Sequence, residues 1–328
     1  MVMSTVLVTG CAGFIGSHLA ERLLADGYRV VGFDNFDEFY ARTAKESNLT
    51  GLLAHPQFRF FELDLRQGPA ALAALPAGPY EAVVHLAAKA GVGPSVREPA
   101  AYLETNLLGT THLLDWMRQH DVPNLLFASS SSVYGNTPSR PFREDEPLLA
   151  RSISPYAASK LAGEALTYTY HHLYGLSVLN ARFFTVYGPR QRPDLAIHKF
   201  TRLLLAGQPL PVYGTGHTAR DYTYVADTVD GIMRGLAYLH AHPGTYTTVN
   251  LGNSRPVPLL DLIAALGRAT GATPRLEFLP VQAGDVELTY ADISKARDLL
   301  GYQPRTPLAE GLQHFVQWLQ ASNTTQNV

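Results

Sequence analysis

The chain has 328 residues, of which 46% are hydrophobic and 16% charged, with a formal net charge of −2. That length suits one large or two modest domains with a substantial core. The absence of a basic block argues against a nucleic-acid partner, and no apolar run is long enough to span a membrane. The only cysteine, Cys11, rules out an intrachain disulfide and points to a reducing compartment. A strand begins directly at Thr5, no signal peptide is expected before it, and the expected location is the cytoplasm.

Val6-Leu7-Val8 reads as a buried strand. It runs into the turn Thr9-Gly10-Cys11-Ala12-Gly13-Phe14-Ile15-Gly16 and then a helix through Leu24. A second strand over 28–33 ends at Asp34. In this strand–turn–helix context, Gly10, Gly13 and Gly16 let backbone approach a pyrophosphate, and the helix N-terminus supplies N–H groups for it. Asp34 follows at the distance where a carboxylate accepts from ribose hydroxyls, which favours NAD over NADP. Further strands are expected at 58–63, 82–86 and 125–128, with a helix at 101–119. The class is therefore α/β, with a doubly wound parallel sheet. Ligands bind beyond the C-terminal strand ends of such sheets, where Asp64, Ala87, Lys89 and Ser129 to Ser132 fall. Ser130 is the candidate to hydrogen-bond a reacting oxygen. The Pro-rich, acidic stretch 136–153 reads as a surface loop. Ser154 and Pro155 suit the cap and first position of a helix to about 174, which places Tyr156 and Lys160 one turn apart on one face. A phenol beside an ammonium is a way to make a base.

After Gly188 the alternation loosens. A helix is expected at 194–206, short strands at 209–213 and 220–224, and a helix at 225–241. A strand at 246–251 returns to the main sheet, and helices follow near 258–269, 294–300 and 308–321. The expected division is a dinucleotide domain of 1–182 plus about 222–252, with 183–221 and 253–328 forming a smaller C-terminal substrate-binding domain. The twelve histidines show no metal-ligand spacing, so no metal is expected.

Thr9-Gly10-x-x-Gly13-x-x-Gly16, His85-Leu86-Ala87-Ala88, Asn106-x-x-Gly109-Thr110, Ser129 to Gly135 and Tyr156-x-x-x-Lys160 together resemble the extended short-chain dehydrogenase/reductases, which have a Rossmann-type fold. Ala181 to Pro189, Arg192-Pro193-Asp194, Arg220 to Tyr224, Asn250 to Asn253 and Gly284-Asp285-Val286 look like the nucleotide-sugar 4-epimerases, and most like the UDP-glucuronate 4-epimerase branch. The resemblance runs from Val6 to Trp318. It implies a tightly held NAD, with Gly10, Gly13, Phe14, Ile15 and Gly16 at the pyrophosphate. Asp34 and Asn35 would take the adenosine ribose, and Asp64 and Leu65 the adenine side. It adds Leu86, Ala87, Ala88, Lys89, Asn106, Ser129, Phe183 and Val186 to the cofactor-binding set. Lys160 would bond the nicotinamide ribose and lower the Tyr156 pKa, Tyr156 would be the base, and Ser130 its partner.

For the UDP-sugar, the resemblance implies Ser131, Ser132, Thr185, Arg192, His198, Lys199, Phe200, Tyr213, Arg220 and Asp285. Dehydratases and decarboxylases of this kind place carboxylates where Ser131 and Ser132 stand, so epimerisation is favoured over both. Thr185, Gln282 and Arg192 favour UDP-glucuronate over UDP-glucose or UDP-N-acetylhexosamine. Two departures concern the sugar side: Gly93 replaces an expected arginine, and Lys89 a common glutamine. The helices 101–119 and 154–174 carry apolar residues round much of their surface, including Leu107, Leu108, Leu113, Trp116, Leu161, Ala165, Tyr168 and Leu173, as in a four-helix homodimer. A rival from another class is a non-catalytic NAD-binding sensor.

Overall fold

The computed structural model describes residues 4–146, 148, 152–280 and 287–326. In chain order the strands are β1 (Thr5–Thr9), β2 (Arg29–Asp34), β3 (Phe58–Glu62), β4 (Ala82–His85), β5 (Asn124–Ser130) and β6 (Ser177–Phe183). They continue as β7 (Thr185–Tyr187), β8 (Leu210–Tyr213), β9 (Ala219–Tyr224), β10 (Tyr246–Leu251), β11 (Pro256–Pro258) and β12 (Leu276–Leu279). Among the described residues, seven strands form one sheet in the order β10-β6-β5-β4-β1-β2-β3. Val6 pairs with Val30 on one side and Ala82 on the other, both in parallel register. Val6, Leu7 and Val8 are all essentially buried, because both faces of a parallel sheet are covered by helices. The strand order reverses between β1 and β4, so a crevice opens at their C-terminal ends.

One face of the sheet packs against helices Phe14–Ala25 and Val225–Ala241 through Leu19, Leu23, Val229 and Ile232. The other packs against Gly109–Gln119 and Pro155–Tyr174 through Leu113, Trp116, Met117 and Tyr170. The start of the latter helix is set locally. Ser154 Oγ accepts from the Ala157 N–H at 3.1 Å, Pro155 takes the first position, and Gly175 closes the far end in the left-handed region.

The expected uninterrupted helix 101–119 is instead Pro99–Leu103, a π-turn over Glu104–Leu108, and Gly109–Gln119. The wider turn contains Asn106, which is buried and bonded on several sides. Helix Arg42–Leu53 also forms, buried on Lys45, Asn48, Leu49 and Leu52. It was not expected, because polar residues hold two of those four positions.

Beyond Phe183 the chain leaves the main sheet. β7 and β9 pair in parallel, β11 joins β9 antiparallel, and β8 pairs with β12. Helices Ala196–Leu205, Leu259–Thr270 and Leu308–Gln326 close a separate core around Tyr187, Leu204, Leu262, Leu312 and Phe315. β7, β11 and β12 have three or four residues each, too few for periodicity to reveal. No helix of the described residues is long and apolar enough to cross a membrane.

Candidate active site

The crevice at the C-terminal ends of β1, β4 and β5 holds a cavity of about 470 Å³. Its floor is the glycine turn. Gly10 has φ +69°, and a Cβ there would lie 2.9 Å from the Ala87 nitrogen. A Cβ on Gly16 would come within 2.2 Å of the Gly10 carbonyl oxygen. Glycine is therefore needed for the turn, the helix and the loop after β4 to meet backbone to backbone. No side chain caps helix Phe14–Ala25 at Gly13, so its first N–H groups are available to an anion. The buried Tyr40 hydroxyl, in a residue lining the cavity, has no hydrogen-bond partner among the described residues. The uncapped helix and the orphaned hydroxyl both fit a bound dinucleotide.

At one end lies Asp34, whose Oδ1 accepts from the Phe36 N–H at 2.8 Å and Lys45 Nζ at 3.3 Å. Asp64 accepts from Asn35 at 3.1 Å and from Arg66. Burial alone would raise this carboxyl, but those bonds bring it down to about 2. Lys45, Asp37, Phe39 and Tyr40 also line the cavity and escaped the sequence reading. The available signal for Lys45 was its spacing: with Asn48, Leu49 and Leu52 it occupies one helix face.

At the other end Tyr156 and Lys160 project from helix Pro155–Tyr174 toward the end of β5. Lys160 Nζ donates to the Ala128 carbonyl at 2.7 Å. Burial pulls this amine down to about 8, and Glu164 opposes the fall. Burial raises the Tyr156 phenol, while its hydrogen bond with Ser130 and the charge of Arg192 lower it. Arg192, expected at the substrate, thus also acts on that phenol. The Arg192 guanidinium is held by Asp194 at 2.9 and 2.8 Å and lies 4.9 Å from the Phe39 ring centroid. Ser130 Oγ donates to Ser132 Oγ at 3.2 Å and accepts from the Ser132 N–H at 3.1 Å.

The cavity wall brings together Gly10, Gly13, Phe14, Ile15, Gly16, Asp34, Asn35, Asp64 and Leu65. It also includes Leu86 to Lys89, Ser129 to Ser132, Tyr156, Lys160, Phe183, Thr185, Val186 and Arg192. Asn106 is not on the wall. It is 2% exposed and lies beneath the loop, with its side chain bonded to both the N–H and the carbonyl of Lys89. His198 and Phe200 are not there either. Helix Ala196–Leu205 turns Phe200 into the second core, and His198 is buried with its Nδ1 2.6 Å from the Gln191 carbonyl. Lys199 is exposed between them. Tyr213 ends β8, and Arg220 on β9 donates to the Ala219 and Glu287 carbonyls, both outside the wall. Asp285 and Gln282 lie outside the described residues.

The GDP-mannose 4,6 dehydratase family matches residues 7–315. A UDP-glucuronate 4-epimerase of Thermodesulfobacterium geofontis is 40% identical over 96% of this chain and 96% of its own. The UDP-glucuronic acid 4-epimerase of Bacillus cereus, solved with UDP-glucuronic acid and NAD, superposes with a TM-score of 0.89 at 35% identity, covering 97% of this chain and 99% of that one. A UDP-glucose 4-epimerase of Thermotoga maritima, solved with UDP-glucose, gives 0.87 at 31% identity over 97% and 99% of the two chains.

Proposed function

The chain belongs to the GDP-mannose 4,6 dehydratase family, and from that premise we propose that it is an NAD-dependent epimerase inverting C4 of a UDP-sugar, UDP-glucuronate to UDP-galacturonate. The observation that carries this reading is the make-up of the Tyr156 end of the cavity. A phenol bonded to Ser130 stands beside a buried lysine, and the neighbouring groups are the hydroxyls of Ser131, Ser132 and Thr185. Among the described residues, the acids of the cavity wall are Asp34 at the end of β2 and Asp37 and Asp64 on the loops after β2 and β3. Eliminating water needs an acid and a base at neighbouring carbons. Inverting C4 needs only one base that can return the proton it took.

Gly10, Gly13 and Gly16 would hold the NAD pyrophosphate, Asp34 and Asn35 the adenosine ribose, Asp64 and Leu65 the adenine side, and Lys160 the nicotinamide ribose. Bound NAD supplies acceptance and return of hydride at C4. Tyr156 takes the 4-hydroxyl proton, with Ser130 hydrogen-bonded to the same oxygen and the Arg192 charge steadying the phenolate. The sugar ketone is flat at C4, so after it turns over, Tyr156 returns the proton with the opposite face presented. A 4-keto uronate is a β-keto acid and loses CO2 readily. Ser131, Ser132 and Thr185 oppose that loss by hydrogen-bonding the C6 carboxylate near the ring plane. Arg192, which shares the cavity wall with Lys45, Lys89 and Lys160, is the cation near Tyr156 for the anionic substrate.

Incubation of the pure protein with UDP-glucuronate and no added NAD is expected to yield UDP-galacturonate, with Tyr156→Phe slower by about 10²–10⁴-fold. A UDP-pentose with released CO2 would overturn the reading in favour of decarboxylation. Faster turnover of UDP-glucose would move the substrate to a neutral hexose. The chain also forms a homodimer in this proposal. Leu103 and Leu108, before Gly109, and Tyr168 and Leu173, on the helix Pro155–Tyr174, are each 45–59% exposed, apolar surface suited to a second copy. Leu113 and Trp116 are excluded from that face, since they pack into their own chain's core.

A further inference from the structure

Beneath the cavity, three side chains form a line of hydrogen bonds that the chemistry above leaves unused. Thr9 Oγ1 lies 2.8 Å from His85 Nδ1, and His85 Nε2 lies 2.9 Å from Thr110 Oγ1. All three residues are buried, none more than 2% exposed. The ends of the line decide where its protons sit. Thr110 donates its hydroxyl proton to the Asn106 carbonyl at 2.6 Å, so its oxygen accepts from His85. Thr9 Oγ1 accepts the N–H groups of Leu86 at 3.1 Å and Ala87 at 2.9 Å. Both its lone pairs are taken, and its one proton is left for Nδ1. The two ends therefore require the same imidazole, neutral, with the proton on Nε2 and Nδ1 bare. A second ring proton would face the Thr9 proton. The surroundings agree: the Phe127 ring centroid lies 5.8 Å away, and burial together with the charge of Lys160 holds His85 down at about 3.

The line continues into the site at both ends. Thr9 immediately precedes Gly10, and the N–H groups it holds belong to the loop that lines the cavity. Beyond Thr110, the Asn106 side chain accepts from the Lys89 N–H at 2.8 Å and donates to the Lys89 carbonyl and to Ser159 Oγ, each at 2.9 Å. Ser159 in turn donates to the carbonyl of Tyr156 at 2.8 Å. We propose that His85 is a positioning residue for the reaction at Tyr156, an Nε2-protonated imidazole kept neutral by its two hydroxyl partners that sets the spacing between the glycine cradle and the helix carrying the base. Directional bonds hold both sides of the crevice, and a displacement of about 1 Å at a reacting centre lowers rate by about 10²-fold.

The kinetic consequence rests on the C4 chemistry proposed above; the state of the imidazole does not. The test joins two measurements. In ¹⁵N-histidine-labelled protein, His85 is expected to show a protonated Nε2 and a bare Nδ1, unchanged between about pH 5 and pH 9. Thr110→Val keeps the shape and removes the acceptor, while Thr110→Ser retains it. On the UDP-sugar that the unmodified enzyme turns over, Thr110→Val is expected to lower kcat by about ten- to a hundredfold with KM nearly unchanged, and Thr110→Ser to restore it. A charged or Nδ1-protonated His85 in the unmodified protein overturns the proposal, with no variant needed. So does a Thr110→Val enzyme with undiminished kcat.

Discussion

At the Tyr156 oxygen three influences compete: burial raises the phenol, while Ser130 and Arg192 lower it. Arg192→Met removes the cation and raises the phenol further. The pH at which kcat rises on the acid side should shift upward, whereas Arg192→Lys should retain most of the effect; a kcat–pH profile of the three proteins checks this. Glu164 poses a different problem. It is bonded to Arg182 at 2.9 and 2.7 Å and accepts from Ser129, with both charges nearly buried. Glu164→Gln leaves a buried guanidinium without its counter-charge and is expected to cost about 3–5 kcal/mol in denaturant unfolding. For His85 the folded value is about 3 against an ordinary 6.5. Between those values the unfolded chain binds more protons. The stability contributed by the neutral ring is thus complete above pH 6.5 and is lost as pH falls toward 3. The slope of up to about 1.4 kcal/mol per pH unit in that window should disappear in His85→Gln, measured by unfolding midpoints across pH.

Among the elements, the segment after β2 shows how one strap joins two functions. Asp34 pairs with Lys45 and Asp37 with Lys89 at 3.4 Å, and the Phe39 ring lies against Arg192. Residues beside the Asp34 end of the cavity thereby reach the cation beside Tyr156. The helix Pro155–Tyr174 was legible because its signals are local: a capping serine, a proline, and a base and lysine four apart. The π-turn at Glu104–Leu108 was not, because its Asn106 bonds Lys89 and Ser159, partners 17 and 53 residues away. The exposed face of the same helices gives a direct test of the dimer. Leu108→Glu combined with Leu173→Glu should convert the protein to a monomer by light scattering, since both side chains are already solvent-exposed in the single chain.

Over the whole molecule, buried carboxylates and amides tie segments far apart in the chain. Asp221 accepts the N–H groups of Asn253 at 2.7 Å, and of Ser254 and Ala291 at 3.0 Å each. Asp221→Ala strands three donors and should lower stability by about 1–3 kcal/mol for each one left unsatisfied, again read by denaturant unfolding. Asn250, at the edge strand β10, likewise bonds the Phe142 and Asp292 carbonyls and the Tyr134 hydroxyl. By itself the sequence determined the parallel α/β sheet, the glycine cradle and the Tyr156–Lys160 spacing. Each rests on neighbours in the chain, through hydrophobic period, turn geometry or one turn of helix. Tertiary structure alone decided that Arg192 reaches Tyr156, that Lys45 meets Asp34, and that His198 and Phe200 turn inward. It also brought His85 between Thr9, 76 residues away, and Thr110, 25 residues away. Those outcomes depend on how helices rotate and which faces they bury, and side-chain burial is settled only when every element has packed.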